Sequence, residues 1–323
     1  MLSTFFISLN SVLIIITVII IGFLIGKSRI VSPNFINDVS TIVVNVALPI
    51  SVFISAQNYI TRQNFSTLLI GFILSMISIG TCFLIAIPIG RALHLQKDRK
   101  SLFTNAFVNA NTLFVGLPLN LALFGKKSLP YFLAYFVANT ITTWGIGVKL
   151  IYKDNPDAIA NYPTSLWRRF LNFFTPPMWG FVIGIICFFI NIKLPVDGFL
   201  YQSFNYVANT VTPLSLIFLG LQLAKTKLAA MKIEKIDLIA QFGKFIMAPL
   251  MMSLVLWVNQ LLGWVTLPDL FTKTLLIQSI TPMLTVLPML AEQNNMDVEF
   301  STRVLTESIF IFPFAVVLIM III

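Results

Sequence analysis

Gly22-Phe23-Leu24-Ile25-Gly26 returns as Gly180-Phe181-Val182-Ile183-Gly184, and Asn45-Val-Ala-Leu-Pro49-Ile-Ser51 returns as Asn209-Thr-Val-Thr-Pro213-Leu-Ser215. A third, weaker pair follows: Asn111 stands seven residues before Pro118, and Thr281 stands seven before Pro288. The separations, 158, 164 and 170 residues, come in the same order along both halves, so the chain reads as a duplicated unit. Every copy lies in an apolar run. If each half holds an odd number of membrane spans, the copies face opposite ways across the bilayer, an arrangement that places a site at mid-membrane between them.

Composition agrees with a membrane chain. Of 323 residues 58% are hydrophobic and 10% charged, too little polar surface for a soluble globule of this size. The net charge of +9 sits in short clusters between apolar runs, without a basic face or interleaved aromatics, so no nucleic-acid partner is expected. Cys82 and Cys187 lie inside apolar runs without metal-ligand spacing and read as small packing residues. The first apolar run, Val12 to Ile25, is followed rather than preceded by positive residues, the reverse of a cleavable leader, and is expected to be retained.

Spans of about 20 mostly apolar residues fall at 8–26, 35–56, 66–91, 102–124, 129–151, 176–192, 200–224, 236–263, 271–294 and 300–323. Ten spans divide into two five-span repeats, 1–151 and 176–323, joined by a linker at 152–175. Five is odd, so the repeats are inverted. With the N-terminus outside, fifteen Lys and Arg fall on the cytoplasmic side and five, Arg62, Lys126, Lys127, Lys193 and Lys273, on the other. Basic residues resist translocation, so both termini are expected outside and the linker inside, in a plasma or inner membrane.

Spans four and nine carry polar residues and prolines at mid-membrane depth, where unsatisfied backbone is costly unless it lines a cavity or is packed in protein. The first reads Asn105-Ala-Phe-Val-Asn109-Ala-Asn111-Thr112-Leu-Phe-Val-Gly116-Leu-Pro118, the second Ser279-Ile-Thr281-Pro282-Met-Leu-Thr285-Val-Leu-Pro288. One such span alone would be read as a kink. Two at equivalent places of a duplicated chain predict broken helices, with Gly116, Pro118, Pro282 and Pro288 as the breaking residues. Half-helix N-termini there would favour an anion, and Asn111, Thr112, Thr281, Pro282 and Thr285 are the candidate contacts. Ser51 and Ser215, on the repeated Asn-x-x-x-Pro helices, are expected to face the site, while Asn45 and Asn209 either face it or bond backbone freed by Pro49 and Pro213.

Lys244, about nine residues into span eight, has three readings: it snorkels to the headgroups, it neutralises a carboxylate substrate, or it pairs with Glu307. Glu307 follows Arg303 by four residues, a spacing that predicts an intrahelical ion pair. No Asp or Glu falls within either broken stretch, which counts against a carboxylate-borne coupling ion at the crossing and leaves H+ or Na+ open. His94 is the sole histidine and lies in a basic loop, and no nucleophilic triad, metal cluster or phosphate loop is legible, so neither catalysis nor a cofactor is expected.

These residues resemble the auxin efflux carrier family, which spans bacterial organic-acid permeases and plant PIN-type exporters. Asn111-Thr-Leu-Phe-Val-Gly-Leu-Pro118-Leu followed by Ala122-Leu-Phe-Gly125 is similar to the family's span-four signature. Ala47-Leu-Pro49, the block from Leu214 to Leu221, and Leu287-Pro288-Met-Leu-Ala291-Glu292-Gln293 resemble other family blocks. Ala110 stands where PIN-type carriers have proline, and the linker lacks the long loop of the longer plant carriers. The resemblance implies an all-α membrane protein of ten helices in two inverted repeats, with helices four and nine crossing. It also implies a scaffold of helices 1, 2, 6 and 7, an elevator-like transport domain of helices 3–5 and 8–10, a dimer, and Asn111 in contact with substrate. The expected function is secondary transport of a small organic anion, a mono- or dicarboxylate such as malate or malonate. The alternatives are an exporter of an auxin-like aromatic carboxylate and a non-transporting sensor or scaffold on the same fold.

Overall fold

The computed structural model describes residues 2–28, 30–32, 34–155, 174–225 and 232–323. Most of the predicted linker, with Arg29 and Lys227 of the charge pattern, falls outside them. In chain order the main helices are α1 (Leu2–Lys27), α2 (Phe35–Tyr59), α3 (Phe65–Ala92), α4 (Lys97–Val108), α5 (Thr112–Phe124), α6 (129–154), α7 (Pro176–Phe189), α8 (Phe199–Lys225), α9 (Lys235–Leu262), α10 (Asp269–Ser279), α11 (Leu287–Gln293) and α12 (Val298–Ile322). No strand occurs among the described residues, and α2, α3, α8, α9 and α12 are each long and apolar enough to cross a bilayer. The protein is an all-helical, polytopic membrane protein.

Its polarity is turned outside in. Leu24, Leu69, Leu84, Leu254 and Phe314 are exposed on helix surfaces, whereas Asn105, Asn109, Asn120, Gln278 and Ser308 are fully buried. Lipid solvates the apolar exterior, and polar side chains must find partners within the protein.

Proline shapes several helices. The backbone widens to a π-turn at Val43–Ala47, Thr112–Gly116 and Gly243–Met247, in each case ending two residues before a proline, at Pro49, Pro118 and Pro249. Proline lacks an N–H and its ring crowds the carbonyl four residues back, and a wider turn moves that carbonyl aside. This is how the backbone before Pro49 is accommodated, and Asn45 is exposed rather than bonded to it. Asn209 is likewise exposed, where α8 interrupts at Thr210. A fourth π-turn, Thr143–Gly147 in α6, precedes no proline.

The duplicated glycines set the closest helix contacts, and they do so crosswise. A Cβ on Gly22 would lie 2.4 Å from the Ile217 carbonyl oxygen, and one on Gly26 would lie 2.6 Å from the Ala224 Cβ, so α1 packs on α8. A Cβ on Gly180 would lie 2.1 Å from the Pro49 carbonyl oxygen, and one on Gly184 would lie 2.5 Å from the Ala56 Cβ, so α7 packs on α2. Each glycine copy therefore meets the Asn-x-x-x-Pro helix of the other half. Small-xxx-small spacing brings helix backbones together where burial from water offers no driving force.

Candidate functional site

Two interruptions meet inside the bundle. Between α4 and α5 the chain extends over 109–111, and between α10 and α11 it leaves the helix over 280–286. The two stretches run antiparallel: Ala110 pairs with Met283, and Asn111 N–H donates to the Pro282 carbonyl at 2.8 Å. This contact satisfies backbone that the helices leave open.

Side chains complete the job in both halves. The Asn139 amide on α6 donates to the Ala110 carbonyl (2.9 Å) and accepts from the Ala110 N–H (3.0 Å), as a neighbouring strand would. Ser308 Oγ on α12 accepts from Met283 N–H at 3.1 Å. Gln278 on α10 donates to the Gly116 carbonyl at 3.0 Å, and a Cβ on Gly116 would lie 2.2 Å from Gln278 Oε1. Gly116 is therefore a close-approach position. The break lies upstream of it: Pro288 stands in the first turn of α11, whereas Pro118 lies inside α5, just after the π-turn at Thr112–Gly116. That corrects the expectation that Gly116, Pro118 and Pro288 break the helices: Pro288 needs no N–H partner in a first turn, and at Gly116 and Pro118 the helix continues because the wider turn makes room for the proline ring. Pro282 does sit in the interruption.

A cavity of about 110 Å³ opens beside the contact. Asn111, Thr112 and Phe114 reach it from the start of α5, Leu284 and Thr285 from the approach to α11, and Asn139, Thr140, Thr143 and Trp144 from α6. Asn111 Oδ1 accepts from Phe114 N–H at 3.1 Å and caps α5, while its Nδ2 is buried with no partner. Thr143 and Thr175, also lining the cavity, have buried hydroxyls without partners. Unpartnered polar atoms in a dry interior are costly, and their gathering around one cavity marks a place where a polar ligand would be held. The N-terminal turn of α5 adds its positive end, which favours an anion.

Of the expected contacts, Asn111, Thr112 and Thr285 line this cavity. Thr281 is fully buried and donates to the Gln278 carbonyl at 2.9 Å, and Pro282 gives its carbonyl to Asn111. Both hold the crossing without lining the cavity. Ser51 and Ser215 are buried elsewhere, on the helices that receive the glycine contacts, and do not reach it. Lys244 is fully buried and donates to the Val108 carbonyl at 3.4 Å, the end of α4 just before the break. It neither snorkels nor pairs with Glu307, because the π-turn that carries it faces the bundle interior, where a helix C-terminus favours a cation. Arg303 and Glu307 do not pair either: the guanidinium binds Asp237 on α9, and Glu307 accepts from Gln241. Sequence reasoning missed Asn139, Thr143, Gln278 and Ser308, although the run Asn139-Thr140-Ile-Thr142-Thr143 in an apolar span was a legible signal.

The family model described as membrane transport protein matches residues 7–320. An uncharacterized transporter of Methanothermobacter thermautotrophicus is 23% identical over 216 residues, covering 67% of this chain and 68% of its own length. An uncharacterized transporter of Methanocaldococcus jannaschii is 24% identical over 253 residues, covering 75% and 77%. With nearly the whole length matched, the chain belongs to the auxin efflux carrier-like family of membrane transport proteins.

Proposed function

We propose that the protein is a secondary active carrier of a small organic anion, with the cavity at the two helix interruptions as its binding site. The observation that carries this reading is Asn111: one side of its amide caps α5, and the other, a buried donor without a partner, lines the cavity. A carboxylate there would accept from Asn111 Nδ2 and from the Thr143 and Thr175 hydroxyls, and would lie against the N-terminal turn of α5. Thr112 and Thr285 complete the polar lining. Lys244 adds positive charge from behind the break instead of by contact. A volume of about 110 Å³ suits an acid of malate or malonate size, since drug-sized ligands take pockets of roughly 300–1,000 Å³.

The architecture we infer is ten spans in two inverted repeats, with both termini outside. The crosswise glycine packing supports it, since a pseudo-two-fold axis pairs α1 with α8 as it pairs α7 with α2. Elevator movement of one helix group against a scaffold, in a dimer, belongs to the same reading. Thermal stabilisation of the purified protein by a panel of organic acids tests the site, because a ligand that binds only the folded state raises the melting temperature. Malate or malonate should stabilise the protein, and Asn111→Ala should markedly reduce the shift. Stabilisation by neutral or cationic solutes alone would defeat the anion reading.

A further inference from the structure

Away from the crossing, α4, α9 and α12 meet in a cluster of charges. Arg303 Nε donates to Asp237 Oδ2 at 2.7 Å, and its Nη2 reaches Glu234 Oε1 at 2.8 Å. Arg99 from α4 binds Asp297 and reaches Glu234 at 3.0 Å. Burial works against the Arg99 guanidinium, but these hydrogen bonds outweigh it and hold its charge more firmly than usual. Two guanidiniums face four carboxylates, Glu234, Asp237, Asp297 and, at 3.9 Å and exposed, Glu299, so the cluster is negative before Glu307, the next acid along α12, is counted.

Glu307 has little to support a charge of its own. Gln241, 6% exposed, donates through Nε2 to Glu307 Oε2 at 3.2 Å and to the Val304 carbonyl at 2.9 Å. Glu307 Oε1 and Gln241 Oε1 are both buried without a donor. Among the described residues, Asp237 from α9 and Arg303 from its own helix are the charged groups that face it, and Arg303 is already engaged by Asp237 and Glu234. The other charged side chains nearby on packed helices are turned away: Arg99 to Asp297 and Glu234, Lys244 to Val108, Lys27 over the Phe23 ring, and Glu292 on α11 to the surface. An ionised carboxylate with one amide donor beside a negative cluster is a costly buried charge. One added hydrogen removes the cost, because a protonated Glu307 donates its O–H to Gln241 Oε1 and satisfies both orphaned acceptors at once.

We propose that Glu307 and Gln241 form a proton-binding site, and that the proton on Glu307 is the ion coupled to anion movement. Glu307 is partly exposed, and the coupling requires that it exchange its proton with water on opposite sides of the membrane in the two states of the carrier. The coupling rests on the carrier reading above, whereas the protonation does not.

Infrared spectra of the purified full chain from about pH 5 to 8 test the site directly. The wild type should keep a protonated-carboxyl stretch at neutral pH that Glu307→Gln abolishes, and Gln241→Leu should move that band to the frequency of an acid without a hydrogen bond. A proton held by the folded chain and released by the unfolded one gives stability that is present at low pH and lost as pH rises. The wild-type melting temperature should therefore fall with rising pH more steeply than that of Glu307→Gln, whose amide keeps the neutral pairing. Absence of the band in the wild type, or its persistence in Glu307→Gln, overturns the proposal. In liposomes holding a pH dye, a malate or malonate gradient should drive proton flux in the wild type but not in Glu307→Gln. Equal proton flux in both overturns the coupling, and absence of anion flux in the wild type defeats the carrier reading while the spectroscopic result stands.

Discussion

The interruption at 109–111 and the one at 280–286 solve one problem by different means. The first is short and ties both backbone groups of Ala110 to a single side chain, Asn139, with Thr112 N–H as the second donor to the carbonyl. The second is longer and takes support from several sources: Ser308 on Met283, Asn111 on Pro282, and internal bonds such as Leu287 N–H to the Leu284 carbonyl at 3.1 Å. A short break concentrates the cost of opening a helix on one partner, whereas a long break spreads it. The first should be brittle and the second tolerant.

Substitutions probe that contrast. Asn139→Leu leaves the Ala110 N–H buried without its partner, at about 1–3 kcal/mol, and removes one of two donors from the Ala110 carbonyl, at about 0.5–1.5 kcal/mol more, since Thr112 N–H still reaches that carbonyl at 3.0 Å. The loss would be read as a fall in melting temperature of the purified protein. Ser308→Ala orphans only the Met283 N–H and should cost about 1–3 kcal/mol by the same assay. Equal losses in the two variants would erase the distinction between the breaks.

Asn111→Ala removes a cap, at about 1 kcal/mol of stability, but should weaken anion binding about tenfold or more, the worth of one hydrogen bond to a charged group. Titration of malate or malonate binding would separate the two effects, and a variant that loses stability but not affinity would turn Asn111 into a purely structural residue. Lys244→Met should have the smallest effect, within about 1 kcal/mol of stability, because an apolar side chain of similar volume replaces a buried charge at little net cost. Anion affinity should fall less than in Asn111→Ala. A larger fall would mean that the ammonium acts directly on the ligand.

Much of this was written locally in the chain. The apolar runs, the duplicated glycine and Asn-x-x-x-Pro motifs, and the polar stretches around Asn111 and Thr281 each declare themselves without reference to a neighbour. The breaks were legible for a partly wrong reason. Proline at 118 and 288 pointed to the right spans, yet Pro288 starts a helix and Pro118 lies within one, and the interruptions sit upstream, where Asn139 and Ser308 supply bonds from elsewhere. Arg303 and Glu307 had the spacing of an ion pair, but Asp237 on another helix offers the guanidinium two oxygens at hydrogen-bond distance.

The sequence alone thus determined the membrane class, the repeated motifs, the family resemblance and the two spans that open, because hydropathy and backbone-breaking residues act within a few residues of themselves. The tertiary structure decided which polar groups meet: Asn139 at Ala110, Gln278 at Gly116, Lys244 at Val108, Gln241 at Glu307. A helix that is apolar nearly all round carries no stripe to fix its rotation about its own axis, so the partner of a buried polar side chain is set only when neighbouring helices pack against it.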